Sequence, residues 1–248
     1  MSKRAQLVLG IAIVAVCGFA SVVSFGQSPT ERRIVFPRPA APIPAPAPVD
    51  PSIFTVARLQ YSGGGDWYWG SSAIPNLLNF LEEEAGLSVN KSEVRVKPSD
   101  PKLFSYPFIF STGHGNIRMT DDELVAMRRY LTGGGFWLIN DSYGMDASVR
   151  RELKRIFPDR ELVELPFSHS IYQSPYQFPN GLPKIHRHDD QAPRGFAIMD
   201  GDRVVVFYVH ESDIGDGWED PQVHKDSPAK RLEALRMGAN LAFYALTH

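Results

Sequence analysis

Two hydrophobic periods alternate along residues 54–248. Phe54–Tyr61 is rich in β-branched and aromatic residues and runs into Ser62-Gly63-Gly64-Gly65, the composition of a strand ended by a turn. Ile74, Leu77, Leu78, Leu81 and Ala85 then share one face of a 3.6-residue repeat. That spacing predicts a helix over 72–85, with Pro75 in its first turn and Gly86 at its end. Pro107–Thr112 has the pattern of a short buried strand and leads into Gly113-His114-Gly115. Thr120-Asp121-Asp122-Glu123 is a capping box, whose hydroxyl and carboxylate satisfy amides left unpaired at a helix start. The helix it opens turns Leu124, Met127 and Leu131 inward and stops at Gly133. Gly135–Ile139 forms another buried strand, ending at Asn140-Asp141. Asp146 is expected to cap a helix that buries Val149, Leu153 and Phe157.

The second half is less regular. Glu161–Leu165, Phe196–Met199 and Arg203–Val209 have strand character, the last two forming an antiparallel pair about Gly201-Asp202. Phe167 to Arg194 is a long loop region rich in proline and histidine. A final helix begins at Ser227-Pro228, with Leu232, Leu235, Ala239, Ala242 and Leu246 marking one face. Strands alternating with amphipathic helices imply right-handed crossovers. The expected fold class is therefore α/β, a three-layer, mostly parallel sheet with helices on both faces.

Three domains follow from composition. Lys3 and Arg4 precede an uncharged apolar run, Leu7 to Phe25, with small residues at Ser24 and Gly26. Residues 1–26 thus have the order of a signal peptide cut after Gly26, or of a retained N-terminal membrane anchor. About nineteen apolar residues just span a bilayer of roughly 30 Å. Residues 27–52 are a Pro-rich linker, and Pro37 to Pro51 would extend about 45 Å at roughly 3.1 Å per residue. Residues 53–248 are the α/β domain. The chain is expected to be exported, periplasmic or secreted, with residues 7–25 as a possible membrane tether and an unknown envelope ligand or protein as partner. Cys17, the single cysteine, has Val16 before it, unlike a lipoprotein signal. The α/β domain therefore contains neither a cysteine nucleophile nor a thiolate metal site. Formal net charge is −2, and an acidic chain without a basic stripe argues against a nucleic-acid partner.

In such a sheet ligands bind outside the carboxyl ends of the strands, near a switch in strand order. Asp66, Trp67, Tyr68 and Trp69 follow the first strand, His114 follows another, Asn140 and Asp141 a third, and Glu211, Ser212 and Asp213 the last. Asp66, His114 and Asp141 are the candidate catalytic groups. Trp67, Tyr68, Asn140, Ser212 and Asp213 are the candidate ligand-binding groups. The loop tryptophans Trp67, Trp69 and Trp218 could stack on a ring or close a packed lid. His186-Arg187-His188-Asp189-Asp190 offers two imidazoles without a third ligand at a recognisable spacing, and is read as a solvated polar loop, so no metal site is assigned. No cofactor is implied. No Gly-x-Gly-x-x-Gly helix opening, phosphate-binding Gly-Lys-Ser/Thr, His-Glu-x-x-His or Gly-x-Ser-x-Gly occurs. This disfavours dinucleotide enzymes, nucleotide hydrolases, common zinc peptidases and serine hydrolases with the usual elbow.

The ordered set Ala57–Tyr61, Gly65-Asp66-Trp67-Tyr68, Tyr106-Pro107-Phe108, Thr112-Gly113-His114-Gly115, Gly134-Gly135-Phe136 with Asn140-Asp141, and Gly238 with Asn240 resembles the bacterial domain-of-unknown-function 4159 family. The resemblance covers nearly everything from Ile53 onward. That family is more distantly similar to the class I glutamine amidotransferase-like superfamily, including its trehalose-utilisation branch, which implies a flavodoxin-like sheet. In that branch the strand after Gly-Gly-Phe ends at the elbow where amidotransferases hold cysteine. Asn140 stands there in this chain, so glutaminase activity is not implied. The expected function is a non-catalytic domain binding a ligand, glycan or protein at the envelope. The alternative is an envelope hydrolase using Asp66, His114 and Asp141.

Overall fold

The computed structural model describes residue 50 and residues 52–248. The expected signal or anchor, 1–26, lies outside the described residues, as does nearly all of the linker. Among the described residues no helix is long and apolar enough to cross a membrane.

The strands are β1 (Val56–Leu59), β2 (Val94–Val96), β3 (Phe108–Ser111), β4 (Phe136–Asn140), β5 (Val163–Glu164), β6 (Arg194–Asp200) and β7 (Arg203–His210). The helices are α1 (Ala73–Ala85), α2 (Asp121–Thr132), α3 (Asp146–Ile156), the single turns α4 (Ile214–Gly217) and α5 (Pro221–His224), and α6 (Pro228–Thr247). One seven-stranded sheet has the order β2-β1-β3-β4-β7-β6-β5. Pairing is parallel from β2 through β7. β6 and β5 add an antiparallel edge, hinged on Gly201 as expected. The fold is thus α/β and doubly wound, with the flavodoxin-like order in which the chain leaves β1 in opposite directions for β2 and β3.

Strand side chains alternate between the two helical layers. Val56, Phe108, Phe110, Phe136, Leu138, Phe207 and Val209 join one buried cluster with Ile74, Leu77, Leu78 and Leu81 of α1 and with α6. Their neighbours Ala57, Ile109, Trp137, Ile139 and Val206 are equally buried, as are Leu124, Met127 and Leu131 of α2 and Val149 and Leu153 of α3, which packs against α2. The capping box of α2 makes both bonds, Glu123 N to Thr120 Oγ1 and Thr120 N to Glu123 Oε2.

Two expectations are corrected. Asp146 is the first residue of α3 rather than its cap; the carboxylate at the helix entrance is Asp141, whose Oδ1 accepts the Met145 amide at 3.0 Å. In α6, Leu232 and Leu246 are 37% and 43% exposed, while Ala234, Met237, Leu241 and Tyr244 are buried. The inward stripe is rotated because α6 is covered on two sides. Gly238 lies where a Cβ would meet Leu77 and the Trp218 ring at 2.7 and 2.8 Å, so α1 and the segment after β7 press close there. On the other side Asn240 holds the 167–194 loop: its amide donates to Ile171 O at 2.8 Å and Tyr176 O at 2.7 Å, and its carbonyl accepts Tyr176 N at 2.9 Å.

Removing those partners leaves buried backbone groups unpaired, each costing about 1–3 kcal/mol. Asn240→Ala is expected to lower stability by roughly 3 kcal/mol in urea unfolding and to make the 167–194 loop the first site cut in limited proteolysis. An unchanged cleavage pattern would show that Asn240 does not hold the loop.

Candidate functional site

The switch between β1 and β3 brings together the loops that follow them. Arg58 on β1 is fully buried, and its guanidinium donates to Trp69 O at 2.6 Å, Gly70 O at 2.8 Å and Glu93 Oε2 at 2.8 Å. A buried charge is tolerated only when so partnered, and here its partners are the backbone of the 62–70 loop. From the other side the loop is stitched to the one after β3 by Arg118 N to Ser62 O at 2.7 Å and Gly65 N to Asn116 O at 3.0 Å. Gly113 has φ +136°, and a Cβ there would lie 2.7 Å from Asp66 Oδ1. Only glycine allows this approach.

Asp66 and His114 form a pair at this junction. Asp66 Oδ1 accepts the His114 backbone amide, and Oδ2 lies 3.1 Å from His114 Nδ1. The side chains of His114 and Asp66 are 40% and 27% exposed, so the pair faces solvent. No described residue hydrogen-bonds His114 Nε2. The ring that meets His114 is Trp69, edge-on with centroids 4.7 Å apart. Trp67 and Tyr68, next to Asp66 in the chain, have ring centroids 5.5 Å apart, Tyr68 is 60% exposed, and Arg95 lies over the Trp67 ring at 5.7 Å.

The other candidates go elsewhere. Asp141 is buried, and besides the Met145 amide it accepts the Tyr208 hydroxyl on Oδ2 at 3.0 Å; no hydrogen bond joins it to Asp66 or His114. Burial pushes its carboxyl above the ordinary value, partly offset by those two hydrogen bonds. It lines a separate cavity of about 210 Å³ with Tyr143, Asp146, His188, His210 and Glu211. Asn140 is fully buried, its amide donating to Asp213 Oδ1 at 2.8 Å and Thr112 Oγ1 at 3.1 Å while its carbonyl accepts Gly215 N at 3.1 Å. Ser212 and Asp213 are likewise buried, the Ser212 hydroxyl donating to Pro183 O. Asn140 and Asp213 tie the ends of β4 and β7 together, and Ser212 ties the end of β7 to the 167–194 loop. Trp218 is no stacking platform either: it is fully buried and donates to Ala234 O at 2.8 Å. A larger cavity, about 520 Å³, opens at the opposite, amino ends of β1, β3 and β4, where Phe54, Tyr106, Pro107 and Gly135 line it. It lacks the convergent titratable groups of the carboxyl-end rim.

In the 186–190 loop Arg187, Asp189 and Asp190 are exposed as expected, but His186 and His188 turn inward, which corrects the reading of a wholly solvated loop. His186 is the more engaged of the two. Its Nδ1 faces Asp213 Oδ2 at 3.2 Å and its Nε2 faces Asp226 Oδ2 at 3.0 Å. Hydrogen bonding to Asp213 above all pushes the imidazole up to about 10. Asp213 is raised by burial, but the His186 hydrogen bond and its companions outweigh this and leave the carboxyl below its usual range. His224 and Asp216 complete the group. The partners of His186 lie 27 to 40 residues away, so no local spacing announces them.

Fold and rim define a doubly wound α/β protein with an aspartate–histidine pair at its switch point. Residues 55–246 match the family model described as a domain of unknown function, number 4159, and the chain belongs to that family. No curated protein matches it.

Because the Asp141 carboxyl is raised, it favours the fold below its unfolded pKa of 3.8, and that contribution is lost as pH rises through the folded value. Asp141→Asn keeps an acceptor for Met145 and removes the buried charge. In urea unfolding the variant should be at least as stable as wild type at pH 7, with its advantage shrinking as pH falls toward 3.8. A loss above about 1 kcal/mol at pH 7 would show that the ionised carboxylate is needed.

Proposed function

We propose that this chain is an exported, non-catalytic domain that binds a glycan at the cell envelope, in the mouth formed by Asp66, His114, Trp67 and Tyr68. The observation that carries the reading is the solvent-facing Asp66–His114 pair at the switch in strand order. A carboxylate and an imidazole held together offer the acceptors and donors that sugar hydroxyls require, and the rings of Trp67 and Tyr68, next in the chain after Asp66, offer flat apolar faces. Export rests on the basic start and apolar run of residues 1–26. The amidotransferase-like relation rests on the resemblance and the flavodoxin-like strand order, and it brings no thiol chemistry, because Asn140 stands at the strand end.

A second reading keeps a role for catalysis. Asp66 bound to Nδ1 orients His114 as carboxylates orient imidazole bases, with Nε2 left for a water or substrate proton. Asp141 is left out of this reading, since it lines a separate cavity and no hydrogen bond joins it to Asp66 or His114.

Tryptophan fluorescence titration with soluble envelope glycan fragments, alongside a turnover screen on the same glycans and on esters, separates the two. Binding should be saturable in wild type and at least tenfold weaker in Asp66→Ala and Trp67→Ala, with melting temperatures unchanged and no turnover. Turnover that disappears in both Asp66→Ala and His114→Ala would replace binding by hydrolysis. Absence of both signals in wild type would overturn the glycan assignment.

A further inference from the structure

Beside the mouth, three side chains from separate parts of the sequence point one atom each at a common centre. His186 Nδ1 comes from the loop before β6, Asp216 Oδ2 from α4 and His224 Nε2 from α5, and all three lie within 4.8 Å of one another. Asp216 Oδ2 is 3.5 Å from His186 Nδ1 and 3.3 Å from His224 Nε2. The two Asp216 separations are longer than the usual hydrogen bond of about 2.7–3.2 Å, and each nitrogen also meets a second carboxylate that an ion would displace, His186 Nδ1 with Asp213 Oδ2 at 3.2 Å and His224 Nε2 with Glu219 Oε2 at 3.0 Å. The 3.5 and 3.3 Å separations from Asp216 match the edge of a tetrahedron about an ion whose ligands stand roughly 2.0–2.2 Å away, about 3.3–3.6 Å, and the two imidazole nitrogens lie within 4.8 Å of each other.

The outward-pointing atoms of His186 and Asp216 are held as a coordination shell requires. His186 Nε2 is paired with Asp226 Oδ2 at 3.0 Å, and Asp226 Oδ1 meets Lys230 Nζ at 3.2 Å. Asp216 Oδ1 accepts the Trp69 indole N–H at 2.9 Å, which turns Oδ2 inward. A carboxylate on the outer nitrogen of an imidazole and a donor on the outer oxygen of a carboxylate are the usual supports of metal ligands. Charge points the same way: Asp213, Asp216, Glu219 and Asp226 surround the imidazoles, and among the described residues Lys230 is the only Lys or Arg side chain paired with any of them in a salt bridge. His186 and His224 are 21% and 18% exposed, so water reaches the centre from one side.

We infer that His186, Asp216 and His224 bind a first-row divalent transition ion, with a fourth position open to water. Two imidazole nitrogens and one carboxylate suit zinc and its neighbours, whereas calcium and magnesium prefer oxygen-only shells. The site is distinct from the glycan mouth and does not depend on that reading.

The test uses the untagged chain, residues 1–248, stripped with a chelator and titrated with zinc by calorimetry, and with cobalt(II) followed by its visible absorption. One equivalent of zinc should bind, and cobalt should give the intense bands of a tetrahedral site. His224→Ala should weaken zinc binding more than tenfold. Asp226→Asn, which leaves all three ligands in place, should weaken it by about tenfold to a hundredfold. Asp66→Ala should bind zinc as wild type does, which separates this site from the glycan mouth. Circular dichroism establishes that each variant is folded, and His224→Gln replaces His224→Ala if the latter is not. Less than 0.2 equivalents of zinc on the wild type, or undiminished affinity in a folded His224 variant, would overturn the assignment.

Discussion

The buried guanidinium of Arg58 is the contact on which the rim is built. It sits on the face of β1 that packs toward α1 and α6, beneath the loop that must cross the end of the sheet, with Phe110 within 5.7 Å. Unpartnered, a charge in that position would cost far more than the stability of a small domain allows. Its satisfaction by Trp69 O, Gly70 O and Glu93 turns an electrostatic necessity into a geometric constraint. The loop cannot drift without stranding the charge. Asp66 and Trp69 are therefore carried by a segment with a fixed path, although it has no regular secondary structure over most of its length.

Elements with a strong local period were legible in the sequence. The capping box, the β3 and β4 runs and the inward positions of α1 and α2 follow from residue spacing alone, because each buries one continuous face. Edge strand β2 was not, since it is only Val94-Arg95-Val96 set among Lys91, Glu93 and Lys97, too short for its two valines to mark an apolar face. The face of α6 was misread for the opposite reason: Gly238, Ala239 and Ala242 let it be covered on two sides, and a two-sided helix has no single stripe. α4 and α5 are single turns, too short to show a period.

The site was legible to the extent that topology places it. Strand ends gave Asp66 and His114 their neighbourhood before any contact was known, because parallel strands deliver their carboxyl ends to one edge. The same rule could not tell a group that faces solvent from one that braces the strand ends. Asn140 and Asp213 are polar residues in the expected places, yet they bond each other at 2.8 Å across the ends of β4 and β7. Asp141 behaves likewise toward α3 and Tyr208. At the end of β4 the Asn140 amide is used to hold the turn after β7.

Trp69 joins the two halves of the rim. Its ring stands edge-on to His114, with centroids 4.7 Å apart, while its indole N–H reaches Asp216. Arg58 fixes its carbonyl, so the backbone that places the indole is the backbone that places Asp66. Movement of either loop would then be felt at both the Asp66–His114 pair and the His186–Asp216–His224 cluster.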